Sequence, residues 1–137
     1  MAFVTWTKEY SVGVKSIDEQ HYKMFELANN LYDAIKSGRK SEAIVETFRG
    51  LVEYVQVHFT YEEKLLESND YPFNQFLKHK QDHHDLIEQI KELYSKAKSG
   101  SAVVSLEMLN FLRDWIMNHI AESDMKYKKF LSDKGIS

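Results

Sequence analysis

The chain contains no cysteine, which excludes disulfides, thiolate metal sites and cysteine nucleophiles together. One proline and five glycines in 137 residues leave too little turn material for an all-β architecture. No apolar run approaches the roughly 20 residues needed to cross a bilayer, so no membrane insertion is expected. The opening Met1-Ala2-Phe3-Val4-Thr5-Trp6-Thr7-Lys8 lacks the basic-then-apolar order of a secretion signal, and a cytoplasmic location is expected. Neither sign of charge dominates. A net charge of -3 without a basic patch gives no call for nucleic acid. What is present, 43% hydrophobic and 28% charged residues, suits one domain over 1–137, large enough to bury a core.

Hydrophobic residues recur with helical period in four segments, at approximately 17–37, 42–67, 74–98 and 104–131, after a non-helical arm at 1–15. In the first, Ile17, His21, Met24, Phe25, Ala28, Leu31, Tyr32 and Ile35 share a face. Ser16 and Glu19 offer a capping box at its start, Gly38 a stop, and Ser41 a cap for the second helix. The second carries Ile44, Phe48, Leu51, Val52, Val55, His58, Phe59, Glu62, Leu65 and Leu66 inward. Gly50 and the valines at 52, 55 and 57 favour a strand locally, but the longer 3.6-residue period outweighs them. Ser68 to Pro72 reads as a turn, and Ser99-Gly100-Ser101 as a break before the fourth helix. Short connections between long helices give an all-α, up-down-up-down antiparallel four-helix bundle. Trp6, Tyr10 and Val12 are available to pin the arm across it.

Of six histidines, five lie on the apolar stripes: His21, His58, His79, His83 and His119. A single buried imidazole is ordinarily satisfied by a backbone carbonyl. Five unpartnered ones would cost on the order of 1–3 kcal/mol each, comparable in sum to a whole domain's stability. A metal is the economical common partner. His58 and Glu62 are four apart, as are His79 and His83, so each pair projects from one helix face. In alternating helices all of these groups fall toward one end of the bundle. His84 is the control, sharing a face with Lys80 and Lys91, and is expected in solvent, as are Glu63 and Glu122. Asp124 is harder to place, because five residues past His119 it points about 140° away on an ideal α-helix. A nitrogen-rich shell without thiolate suits iron(II), with zinc, cobalt and manganese open on chemistry alone. Seven converging groups exceed what zinc takes when it closes a site with four.

These elements, in order, resemble the hemerythrin family in its bacterial single-domain form. The pattern is a histidine on helix one, here Asp18-Glu19-Gln20-His21, then three spaced motifs. They read His58-Phe59-Thr60-Tyr61-Glu62, His79-Lys80-Gln81-Asp82-His83 and His119-Ile120-Ala121-Glu122-Ser123-Asp124. The arm, with Trp6, Tyr10-Ser11-Val12-Gly13-Val14 and Ile17-Asp18, is similar too. The resemblance implies two iron ions, one held by His79, His83 and His119 and the other by His21 and His58. Glu62 and Asp124 would bridge them together with an oxo or hydroxo group, leaving one open position for O2. It thereby gives Asp124 the role that spacing alone left open. Phe25, Phe59, Ile116 and Ile120 would line the ligand pocket beside Trp115, which resembles a family tryptophan. Ile116 stands where relatives commonly have leucine.

The expected function is therefore reversible dioxygen binding for carriage, storage or supply, by a monomer, with an oxygen-using enzyme as a candidate recipient. A di-iron redox enzyme, or a sensor of O2, NO or redox state, is the alternative. Carriage is preferred over enzymatic activity because the carboxylate-rich Glu-x-x-His motif of di-iron oxidation bundles is missing. A dry pocket would also limit proton entry.

Overall fold

The computed structural model describes residues 2–100 and 103–137. Its elements are a single 3-10 turn (Lys8–Tyr10) within the arm expected to be non-helical, α1 (Lys15–Lys36), α2 (Ser41–Ser68), α3 (Phe73–Lys98), α4 (Leu106–His119), a π-helical turn (Ile120–Asp124) and α5 (Met125–Asp133). α4, the π-turn and α5 run on without a break as one fourth rod, so the molecule is an all-α four-helix bundle. Among the described residues there is no strand, and no helix is long and apolar enough to cross a membrane. The valine-rich centre of α2 is helical throughout because Leu51, Val52, Val55 and Phe59 are buried by its neighbours. Packing decides over local propensity there.

Two capping expectations fail. α1 starts at Lys15, which places Ser16 inside the helix, where its hydroxyl accepts from Tyr61. Asp18 takes over at this end. Its carboxylate accepts from the Val12 amide at 2.9 Å and the Ser11 hydroxyl at 2.6 Å, tying the arm to the helix. Ser41 does not cap α2, whose N-cap is Lys40 without a side-chain bond. Gly38 has φ +67° just past α1, a left-handed stop that glycine adopts without strain. Asp70 takes the same region after α2 with φ +57°, which aspartate tolerates better than most residues. Ser101, the end of the break expected after α3, lies outside the described residues.

The arm is held by packing and by a clamp. Val4 and Val12 are buried, Trp6 and Tyr10 pack on the core, and Asn29 bonds both the Val4 amide and its carbonyl at 2.9 Å.

The buried apolar residues form two clusters. The larger runs from Phe25, Phe59, Ile116 and Ile120 to Leu31, Phe48, Ile90, Leu109 and Leu112. The smaller contains Val12, Val14, Ile17, Leu66, Tyr71, Phe76, Tyr127 and Leu131. Between them lies a layer of polar side chains.

Candidate metal centre

Along every helix the polar layer interrupts the apolar stripe at the same height. His21 falls between Ile17 and Met24, His58 and Glu62 between Val55 and Leu66, and His79 and His83 between Phe76 and Leu86. On the fourth rod His119 and Asp124 fall between Ile116 and Tyr127. All seven side chains are buried, from 0% exposure for His21 and Glu62 to 7% for His119. Asp124 reaches the layer because the backbone from Ile120 to Asp124 is a π-turn. Hydrogen bonding to the fifth residue back stacks residue i+5 over residue i, which brings Asp124 round to the face of His119. Asp124 Oδ1 comes to 3.2 Å from His119 Nε2 and 3.1 Å from His79 Nε2.

The donor atoms fall into two overlapping groups. Glu62, His79, His83, His119 and Asp124 each offer an atom within 4.8 Å of the others, and so do His21, His58, Glu62 and Asp124. The two carboxylates belong to both. The arrangement is thus three imidazoles on one side, two on the other, and two shared carboxylates between.

Several of these atoms are left without hydrogen bonds. Both ring nitrogens of His21 and Oδ1 of Asp124 have no such partner, although His21 Nε2 stands 3.2 Å from Asp124 Oδ2. His83 Nε2 and His119 Nε2 face each other at 2.9 Å. Unpaired buried polar atoms cost about 1–3 kcal/mol apiece, and a cation between them removes that cost. The outward nitrogens tell the same story. His83 Nδ1 meets Glu63 Oε2 at 2.9 Å and His58 Nδ1 meets Gln20 Oε1 at 2.6 Å. Acceptors there keep the proton on Nδ1 and turn the Nε2 lone pair inward, as in metal-bound histidines generally. The residues fit a pair of metal ions of octahedral habit.

Electrostatics agrees. Burial acts to raise the pKa of Glu62, but the imidazoles of His58, His79 and His83 outweigh it and hold the carboxyl well below the usual range. For Asp124, burial and the Glu62 charge push upward, and His119, His21 and His79 prevail in pulling it down. Burial opposes charge on His79, yet the adjacent carboxylates of Asp124 and Glu62 push its pKa up to about 10. Desolvation wins at His58, whose pKa falls. Two fully buried carboxylates held ionised demand positive charge, from protons or from metal.

Around the layer, Phe59 stacks on His83 with ring centroids 3.7 Å apart, and Trp115 on His119 at 4.6 Å. Phe25, Phe59, Ile116 and Ile120 are buried in the larger apolar cluster, with Trp115 half-buried against it. His84 is exposed and Glu122 likewise. Glu63 is a correction, being half-buried against His83 rather than free in solvent. Gln20 and Tyr127, whose hydroxyl donates to Glu62 Oε2 at 2.9 Å, were not assigned a role at the site from sequence. Tyr127 lies on the inner stripe of the fourth helix, four residues past Ser123 and eight past His119, but its bond to Glu62, like that of Gln20 to His58, joins different helices and leaves no periodic signal.

Comparison with known proteins agrees with this geometry. The family described as hemerythrin HHE cation binding domain matches residues 12–131. The bacteriohemerythrin of Methylococcus capsulatus is 35% identical over 133 residues, covering 96% of this chain and 99% of that one. A bacteriohemerythrin of Pseudomonas aeruginosa is 34% identical over 127 residues, 93% of this chain and 80% of its own. The crystal structure of a wild-type hemerythrin superposes with a TM-score of 0.90 at 32% identity, covering 96% of this chain and 99% of that one.

Proposed function

The chain belongs to the hemerythrin family, and from that premise we propose that it binds dioxygen reversibly, as a carrier or store rather than an enzyme. The family's cofactor is a di-iron centre, and the buried His, Glu and Asp cluster suits it. When bound, the two irons supply the coordination position and the electrons that hold dioxygen. In this reading His79, His83 and His119 would hold one ion and His21 and His58 the other, with Glu62 and Asp124, which belong to both groups, shared between them.

The observation that carries the proposal is the unequal division of donors, three imidazoles against two, inside a layer sealed by apolar residues. The side with fewer protein donors keeps room for a small ligand. The apolar cluster that contains Phe25, Phe59, Ile116 and Ile120 abuts the layer and would exclude water from it, and with it the protons that would convert a reversible reaction into a reductive one. Tyr127 donates to Glu62 Oε2 and steadies the shared carboxylate. The phenol is held well above its usual pKa, by burial first and by the nearby charges of Glu62 and Asp124, so it remains a donor.

The test is a visible absorption spectrum of reduced, iron-loaded protein under argon, in air, and under argon again. A band that appears with air, fades with argon and returns on re-exposure is expected. Sustained oxygen consumption with an electron donor and no stable band would instead mark a redox enzyme.

A further inference from the structure

One histidine in each set turns its outward nitrogen to a side-chain acceptor, and the two acceptors differ in charge. On the three-imidazole side, His83 Nδ1 donates to the carboxylate of Glu63, Oε2 at 2.9 Å. On the two-imidazole side, His58 Nδ1 donates to the neutral amide of Gln20, Oε1 at 2.6 Å, and His21 Nδ1 donates to nothing. Glu63 and Gln20 are both half-buried, so a charge there is less screened than one in open solvent.

A carboxylate accepting from an imidazole makes the ring a stronger donor to its metal, whereas an amide does so weakly. A fixed negative charge on one side also favours the higher charge state of the nearer ion. We infer that Glu63 is a positioning residue that makes the two iron sites unequal, giving an ion held by His79, His83 and His119 a lower reduction potential than one held by His21 and His58. Gln20 leaves the ion at His21 and His58 in its reduced form longer, with its open position available to a neutral ligand. The assignment rests on the di-iron reading above. It adds an order of oxidation set by residues that touch no metal.

The experiment measures the midpoint potential of the first one-electron oxidation and the paramagnetic resonance spectrum of the one-electron-oxidised form. Glu63→Gln keeps size and hydrogen-bonding capacity but removes the charge. It is expected to favour the reduced form about tenfold, a rise of about 59 mV for one electron, and to weaken iron binding about tenfold. Glu63→Asp should recover part of both. Gln20→Glu, which adds charge on the other side, should lower the potential and change the resonance spectrum by making the two ions more alike. Thermal melts of the metal-free variants monitor folding. If Glu63→Gln does not fold, Gln20→Glu decides alone. An unmoved potential and spectrum in the folded variants, with two irons bound, overturns the inference and leaves the di-iron reading standing. A parent protein that takes up no iron overturns both.

Discussion

The polar layer and the apolar end of the same bundle are built by opposite rules. At the apolar end Leu31, Phe48, Ile90, Leu109 and Leu112 close on one another, and each gains about 1.5–3 kcal/mol from leaving water. Their contribution needs no ligand, and another apolar set of equal volume would serve nearly as well. The layer of His21, His58, Glu62, His79, His83, His119 and Asp124 is equally buried but satisfies only part of its own hydrogen-bonding demand. Its nitrogens and oxygens have given up water, and Asp124 Oδ1 and both nitrogens of His21 make no hydrogen bond in exchange. The apolar end thus holds the helices in place against the layer's cost. Metal binding is expected to reverse that cost, since whatever binds only the folded chain adds to its stability.

His79→Ala should separate the two regions most clearly. It should lower iron content from about two per chain to one or none and remove most of the iron-dependent stabilisation. That stabilisation is worth about 4 kcal/mol when free iron exceeds its dissociation constant a thousandfold. Metal analysis, with thermal unfolding in the presence and absence of iron, checks it. Unchanged iron content would remove His79 from the ligand set.

Leu109→Ala tests the other end. Leu109 is 1% exposed, so the substitution should cost about 2–5 kcal/mol, equally with and without iron, at unaltered iron stoichiometry. A loss confined to the iron-loaded state would mean that the two regions are not separable.

Ile116→Phe acts where they meet. Ile116 is buried one turn before His119, and the larger ring should cost about 1–3 kcal/mol by overpacking. Both irons should stay while oxygen uptake slows, as followed by the rate at which the visible band appears. Loss of an iron in this variant would place Ile116 in support of the ligands rather than in the pocket.

The smallest effect belongs to His84→Ala. His84 is exposed beside buried His83, and its removal should change iron content not at all and stability by less than about 0.5 kcal/mol. A measurable drop in bound iron would show that exposure is a poor guide to which histidines matter.

The same contrast governs how much of the molecule is legible in its sequence. Apolar stripes repeat every 3.6 residues, so the bundle and the faces of its helices were legible, including the valine-rich stretch of α2. Histidines on those stripes were legible for the same reason, because His58 with Glu62 and His79 with His83 keep the helical spacing. The caps were not. Ser16 and Ser41 have the right side chains, yet the arm brings Ser11 and the Val12 amide to Asp18, and that tertiary bond moves the start of α1.

Local period in the sequence was thus enough to specify four helices, their inward faces, and five imidazoles that had to share a partner. Features that depend on neighbours far along the chain came from tertiary packing. Packing bends residues 120–124 into a π-turn that turns Asp124 toward His119, against the α-helical geometry that spacing implies. It also sets Glu63 of α2 against His83 of α3, and Gln20 of α1 against His58 of α2. An irregular turn and a hydrogen bond between helices leave no periodic trace, because their stability comes from partners that only folding brings within reach.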